Sequence, residues 1–248
     1  MYLSCLLIDI GDNPDRPRPG RTWLRNLYHV HQRLCMAFPS APRKTADEDF
    51  LQPFRADDFA VGQVHVPREA EAGFLFRIDP QAGGRVAVLV QSATRPDWDY
   101  AFHNAAHFLA APAQWKPFDP CFAAGEQLRF RLLANPTRRP STERGQRDAE
   151  RVPVPPDQFG DWLARHAERG GFALDKESLA IQPGYVYFSK GKHGPNGGNS
   201  RGQCLRSARY DGVLRITEPV KFGKTLAHGI GPAKAFGFGL LSLAPTNR

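Results

Sequence analysis

The sequence predicts an α+β protein made of two consecutive βαββαβ units, the arrangement of the ferredoxin-like (RRM-like) fold. Three observations support this fold class. Short apolar runs typical of strands recur along the chain, stretches with helical spacing of apolar residues lie between them, and a polar, arginine-rich segment divides the chain near its middle. A length of 248 residues allows one large domain or two of ordinary size.

The first predicted unit covers residues 1–139. Its elements follow the order strand, helix, strand, strand, helix, strand, because apolar runs alternate with stretches of helical spacing. In that order they span residues 2–10, 23–38, 73–79, 85–91, 97–110 and 127–134. Residues 39–72 show no clear periodicity, which indicates an insertion or a partly disordered segment.

The second predicted unit covers residues 150–248 and follows a polar junction that contains Pro136 and Pro140. Its pattern is weaker than that of the first unit. The predicted elements are a strand at 151–154, a helix from 157 to 169, strands at 172–174, 180–181 and 185–188, a helix at 219–227 and a last strand near the C-terminus. Strands at 204–210 and 213–217 are predicted to pair across an Asp211-Gly212 turn.

The charge of the chain favours an anionic partner. The formal net charge is +8, and residues 190–224 carry eight lysines and arginines against two carboxylates. Such a concentration of positive charge is typical of proteins that bind nucleic acid.

Cysteine usage and hydropathy indicate a soluble cytoplasmic protein that contacts no membrane. Cys5, Cys35, Cys121 and Cys204 lie far apart in the chain, without a Cys-x-x-Cys pair, as expected for reduced thiols. The apolar run near the N-terminus includes Asp9 and lacks a preceding basic region, so it predicts a strand instead of a signal peptide. No apolar stretch approaches the roughly 18 residues needed to span a membrane.

Metal-binding patterns are weak in this sequence. His103 and His107 have the spacing of two zinc ligands on a helix, but the glutamate of the His-Glu-x-x-His motif is missing. Asp9, Asp12 and Asp15 are three residues apart, yet Pro14 and the loop context prevent a shared helical face. We therefore predict no metal site and interpret the two histidines as structural.

Residues 228–245 form a glycine-rich run around Lys234. Gly229 and Gly231 allow positive φ and close approach to a partner, and Lys234 supplies a point charge suited to a phosphate oxygen. A dinucleotide fingerprint requires strand, loop and helix in that order, whereas this loop leads into a strand. The composition therefore suits an extended polyanion better than a nucleotide cofactor, and we predict no cofactor. A simple turn between helix and sheet is the structural alternative.

Tyr28 and His31 are the strongest candidates for catalysis. Their i, i+3 spacing places both side chains on one flank of the first helix, beside its buried face. A histidine can perform either proton transfer of RNA strand scission, in which the 2′-hydroxyl is the nucleophile and no metal is required. The alternative is that the pair only packs the helix flank, which would make the protein a non-catalytic RNA hairpin-binding module.

Together with other segments, these residues resemble the CasE family, the CRISPR repeat-cleaving endoribonucleases of the subtype I-E Cascade complex. The similar segments are residues 2–4, 25–32, 130–136 and 229–245. They occur in the family's order and span nearly the whole chain, so the combination is far more specific than any one segment.

The resemblance implies two ferredoxin-like domains and a defined reaction. The family cuts precursor CRISPR RNA at the 3′ base of the repeat stem-loop without metal, leaves a 5′-hydroxyl and a 2′,3′-cyclic phosphate or 3′-phosphate, and retains the product within Cascade. His31 matches the catalytic histidine and Tyr28 its accompanying tyrosine. Some relatives carry a lysine where this chain has Met36, so Arg33, Lys234 and a cation elsewhere in the chain all stay open as the group that stabilises the transition state.

Cationic residues and the glycine-rich loop are predicted to contact the RNA stem, because A-form RNA is recognised mainly by shape and backbone. A solvated basic face is the alternative interpretation. The predicted RNA-binding residues are Arg129, Arg131, Arg138, Arg139, Lys190, Lys192, Arg201, Arg206, Arg209, Gly229, Gly231 and Lys234.

Overall fold

The computed structural model describes residues 1–11, 18–38, 73–140, 150–189 and 202–246. The chain forms two compact units, Met1–Asp119 with Phe188–Arg201, and Pro120–Tyr187 with Gly202–Arg248. Each unit is a ferredoxin-like α+β fold, so the predicted fold class is confirmed. No helix among the described residues is long and apolar enough to cross a membrane.

The first unit contains one four-stranded antiparallel sheet with its helices on one face. Its elements are β1 (Tyr2–Asp9), α1 (Pro19–Leu24), α2 (Leu27–Cys35), β2 (Phe74–Gln81), β3 (Arg85–Ser92), α3 (Trp98–Phe102), a 3-10 helix (His103–Phe108) and β4 (Gln114–Pro117). The strand order is β2-β3-β1-β4, which is the ferredoxin-like order.

The apolar face of α2 anchors that helix to the sheet. Val30 and Leu34 are fully buried in one hydrophobic cluster with Leu6, Ile8 and Phe76 of the strands below. Burial of each such side chain stabilises the fold by about 1.5–3 kcal/mol. The polar flank of α2 is therefore held at a fixed orientation relative to the sheet.

The predicted helix at 23–38 is two helices in the structure. Asn26 has extended backbone angles (φ −121°, ψ 101°) and caps α2, because its side-chain oxygen accepts a hydrogen bond from the Tyr28 backbone N–H. An asparagine favours such N-cap positions, so it ends the continuous helix that the apolar spacing predicted. Tyr28 consequently lies in the first turn of α2.

The second unit repeats the same plan with three additional strands. Its elements are β5 (Gln127–Ala134), β6 (Thr137–Arg138), β7 (Val152–Pro153), α4 (Phe159–Arg169), β8 (Phe172–Leu174), β9 (Ala180–Phe188), β10 (Gln203–Ile216), α5 (Pro219–His228) and β11 (Leu241–Pro245). The main sheet has the order β11-β5-β10-β8; of the three additional strands, β9 pairs with β10, and β6 pairs with β7 in a small separate ladder.

The structure corrects the strand assignment at the predicted junction. β5 was expected to close the first sheet, but it pairs with β10 and β11 and is the first strand of the second sheet. Its alternation of buried Leu128, Phe130 and Leu132 is compatible with either sheet, so periodicity alone cannot assign it. All four residues of β4 are exposed, and the true fourth strand therefore has no apolar pattern to detect.

The predicted turn at Asp211-Gly212 was also wrong, since β10 continues through both residues. Gly212 lies where the backbone of residues 178–179 approaches the strand closely, and a Cβ would lie 3.2 Å from the Leu179 Cα. The approach is fixed by the Val213 N–H, which donates to the Ser178 hydroxyl. Asp211 pairs with Arg131 of β5 in the ladder, so its side chain has a partner in the sheet.

Candidate active site

The His31 side chain is half-buried on the flank of α2 and is held on two sides. Its Nε2 lies 3.5 Å from the Cys35 Sγ, one helical turn further along. Its ring stacks on Phe74 of β2, with centroids 5.3 Å apart and planes inclined by 25°, and more distantly on Phe76 at 6.3 Å. The imidazole is thus restricted in position, and its Nδ1 is buried, while the residue as a whole stays partly exposed.

Tyr28 lies one turn before His31 and is also partly exposed. Its ring approaches that of His29, with centroids 6.4 Å apart. The helical spacing therefore places a phenol and an imidazole on neighbouring parts of the α2 surface, as the sequence predicts. Their catalytic roles stay predictions.

Asn26 is a site residue that the sequence reasoning did not identify. Besides capping α2, its Nδ2 donates to the Ser189 carbonyl at 2.9 Å, and its Oδ1 accepts from the Ser189 N–H at 3.2 Å. Both residues belong to the first unit. These bonds tie the first turn of α2, where Tyr28 lies, to the backbone just after β9. An Asn two residues before the tyrosine was the available N-cap signal.

Arg33, one of the candidate cations for the transition state, faces away from His31. Two residues along an α-helix correspond to about 200° of rotation, and the guanidinium lies beside α3 and the 3-10 helix. Its Nη1 donates to the Ala101 carbonyl at 2.9 Å and to the Asn104 Oδ1 at 2.8 Å. Burial lowers the pKa of Arg33 from its ordinary value. The geometry therefore does not favour Arg33 as a contact to an atom bound at His31.

The outer face of the second sheet carries the arginines predicted from β5. Arg131 and Arg209 both form ion pairs with Asp211, at 2.5 Å and 2.8 Å, and Arg129 donates to the Pro245 carbonyl at 3.1 Å. These side chains remain partly exposed, so they line one cationic surface whose charge Asp211 reduces.

The other predicted RNA contacts are distributed differently. Arg206 is half-buried and donates to the Val154 carbonyl at 3.1 Å, which indicates a structural role in addition to any contact with RNA. Arg138 and Arg139 are exposed at and just after β6. The predicted contacts Lys190, Lys192 and Arg201 lie outside the described residues.

The glycine-rich loop closes tightly on itself and on β5. Gly229 (φ 73°) ends α5, the Ile230 N–H donates to the Gly239 carbonyl, and the Gly239 N–H donates to the Leu133 carbonyl. Gly231 (φ 83°) lies so close to Trp162 that a Cβ would be 3.0 Å from its ring. Burial lowers the pKa of the half-buried Lys234 amine in this loop.

The two spaced histidines do not form a zinc pair on a regular helix. His103 and His107 lie on the 3-10 helix, which is interrupted at Ala105 (φ −141°, ψ 25°), and both are exposed. Within the described part of the chain, no group of three or more His, Cys, Asp or Glu side chains is placed to hold a metal ion.

The protein is of the RNA-binding ferredoxin-like class. This class is defined by its two ferredoxin-like units, the histidine on α2 and the basic second unit. The chain belongs to the family described as CRISPR associated protein, which it matches over residues 1–245. A relative from Thermus thermophilus, named CRISPR-associated endoribonuclease Cse3, is 34% identical over 99% of this chain and 100% of its own length. The Escherichia coli K12 relative, named CRISPR system Cascade subunit CasE, is 28% identical over the same shares.

Solved structures agree with this family assignment. The chain is similar to a Cse3 endoribonuclease bound to 19 nt RNA, with a TM-score of 0.66 and 29% identity over 99% of this chain and 100% of that one. It is also similar to Thermus thermophilus Cse3 bound to an RNA representing a pre-cleavage complex, with a TM-score of 0.65 and 28% identity over 98% of both chains. The similarity extends over both ferredoxin-like units.

Proposed function

We propose that this chain is a metal-independent endoribonuclease that cleaves precursor CRISPR RNA at the 3′ base of the repeat stem-loop. The observation that carries the proposal is His31, a partly exposed residue whose imidazole is held against Cys35 and Phe74 one turn after Tyr28. The family membership and the 34% identical relative named an endoribonuclease support the same activity.

The proposed reaction uses the RNA's own 2′-hydroxyl as the nucleophile. The 2′-oxygen attacks phosphorus and loses its proton, the bond from phosphorus to the 5′-oxygen breaks, and the 5′-oxygen takes up a proton. The products are a 2′,3′-cyclic phosphate, which hydrolyses to a 3′-phosphate, and a 5′-hydroxyl. His31 performs one of the two proton transfers, and Tyr28 orients the reacting oxygens through its phenol.

The second unit is proposed to hold the stem. Its outer sheet face presents Arg129, Arg131 and Arg209, and Lys234 stands in the glycine-rich loop. Positive side chains of this kind contact phosphates without reading sequence, which suits a double-stranded stem. We also propose that the chain keeps its product as a subunit of Cascade in the cytoplasm. The Escherichia coli relative is named a Cascade subunit, which supports the assembly part of this proposal.

The test is a single-turnover cleavage assay in EDTA with the repeat RNA of the source organism. His31→Ala is expected to slow cleavage by at least about a hundredfold, because a positioned proton-transfer group contributes that much, while hairpin affinity stays within about twofold. Tyr28→Phe is expected to slow it by about tenfold. His103→Ala removes an exposed histidine elsewhere in the unit and is the matched control. Full activity of His31→Ala would overturn the assignment.

A second function is favoured by the packing of His31. The ring stacks on Phe74 and Phe76 and contacts Cys35, as a histidine with a purely structural role would. The alternative is therefore a non-catalytic RNA hairpin-binding module. It predicts tight hairpin binding by the wild-type protein with no cleaved product in the same assay.

A further inference from the structure

A wide groove in the first unit lies on the side of α2 that faces away from the sheet and from His31. It has a volume of about 990 Å³ and runs between the start of α1, the exposed side of α2 and the 3-10 helix. The lining residues on which the inference rests are Arg18, His29, Gln32, Arg33, His107 and Phe108. The volume is at the upper end of the range usual for ligand pockets, and it is open enough for a polymer to lie along it.

The groove is positively charged. Arg18 and Arg33 line it, and no carboxylate does among the described residues. Arg33 is held by two neutral acceptors, the Ala101 carbonyl and the Asn104 side-chain oxygen, so its positive charge is oriented without being neutralised by either. A half-buried guanidinium in this setting attracts an anion, which would oppose the lowering of the Arg33 pKa by burial.

The floor and one wall of the groove are aromatic. Phe108 packs on Trp23, with ring centroids 5.6 Å apart, and the exposed His107 ring meets Phe108 edge-on at 4.8 Å. Arg33 lies over Phe108 at 5.9 Å, and His29 adds a second exposed imidazole across the groove. Flat apolar surfaces beside cationic groups bind the base faces and phosphates of single-stranded nucleic acid.

The groove begins beside Tyr28, on the side of that residue away from His31. At about 100° per residue, Gln32 lies roughly 40° around α2 from Tyr28, and His29 and Arg33 follow in the same direction. A cut at the 3′ base of a stem leaves paired RNA on one side of the scissile phosphate and unpaired RNA on the other. A strand that leaves the Tyr28–His31 flank across Gln32 enters the groove unpaired.

We propose that this groove binds the single-stranded RNA immediately 3′ of the scissile phosphate, with Arg18 and Arg33 facing its phosphates and Phe108 and His107 facing its bases. The inference rests on the proposed function, because that function defines which strand is unpaired. It assigns the first unit a substrate-binding role that is separate from the basic surface of the second unit.

The test compares two uncleavable repeat hairpins that carry a 2′-deoxy nucleotide before the scissile phosphate. One ends at the stem, and the other continues with a short 3′ single strand. For the wild-type protein the extension is expected to tighten binding by about tenfold, as one stacked base would. The exposed pair His29→Ala/His107→Ala is expected to lose this gain and to bind the unextended hairpin normally, whereas His103→Ala keeps it.

Several outcomes would overturn the inference while leaving the proposed function intact. An extension that adds no affinity, a gain that the double variant retains, or a gain obtained only from a 5′ extension would each show that the groove does not hold the 3′ strand. Failure of the wild-type protein to cut the ribose form of the extended hairpin would instead contradict the proposed function.

Discussion

The Cys35 Sγ lies 3.5 Å from the Nε2 of His31, one turn further along α2. Cys35 is buried, so the thiol reaches the imidazole from the protein side and not through solvent. With Phe74 stacked on the ring face, the imidazole is fixed both at one nitrogen and in its plane. Cys35 is therefore a positioning residue for the proposed reaction.

Replacement of Cys35 by alanine removes the contact at Nε2. We expect Cys35→Ala to lower the single-turnover cleavage rate by about three- to tenfold with unchanged hairpin affinity, because the ring loses one of its two constraints. Cys35→Ser keeps a polar atom at this position and is expected to restore most of the rate. Cys121→Ser alters an exposed thiol and serves as control. Equal rates and equal pH–rate profiles for all four proteins would show that the thiol is only packing.

Asn26 is expected to contribute to stability through both the oxygen and the nitrogen of its side-chain amide. Asn26→Ala removes the N-cap of α2 and both hydrogen bonds to Ser189, so we expect the free energy of unfolding to fall by about 1–2 kcal/mol. Asn26→Asp keeps a capping oxygen but loses the donor to the Ser189 carbonyl, and it should lose less. Urea denaturation of the three proteins measures the difference, and equal losses for both variants would contradict the capping role.

The pH dependence of stability is expected to include a contribution from His166. Burial, followed by the charges of Arg169, Arg151 and Arg165, lowers the pKa of this histidine despite its hydrogen bond to the Trp162 carbonyl. The unfolded chain therefore binds the proton more readily, and stability falls as pH drops below the unfolded pKa of about 6.5.

The direction of this pH dependence can be measured directly. The melting temperature of the wild-type protein should fall more between about pH 7.5 and pH 5.5 than that of His166→Gln, which has no imidazole to protonate at this position. His103→Gln should behave as the wild type. A larger fall for His166→Gln than for the wild type would reverse the assigned direction.

The sequence predicts the fold class because buried and more exposed residues alternate clearly in strands such as β1 and β5. It cannot assign β5 to a sheet, since alternation defines a face and not a neighbour. It misses β4, whose residues are all exposed. The Asp211-Gly212 pair has turn composition, and the close approach of Leu179 to this glycine is a tertiary contact that the local sequence does not indicate.

The candidate site, too, can be predicted only in part from the sequence. Helical spacing predicts that Tyr28, His31 and Cys35 share a flank, because all three residues lie on α2, where the His31–Cys35 contact is local. Phe74 comes from a strand beyond residues 39–72, and the partners of Arg33 come from the second helical region, so no local pattern indicates them. Long-range packing thus decides which face of α2 is confined and which forms the groove.

Two glycines of the second unit provide a matched test of the backbone at the glycine-rich loop. Gly231 has φ 83°, and a Cβ there would lie 3.0 Å from the Trp162 ring, whereas Gly223 lies within α5 with no atom inside 4 Å of such a Cβ. Gly231→Ala is expected to lower the free energy of unfolding by more than about 1 kcal/mol, and Gly223→Ala to raise it by about 0.5–1 kcal/mol. Urea denaturation gives both values. A stabilised Gly231→Ala protein would show that the loop tolerates a side chain and that close packing on Trp162 does not require glycine.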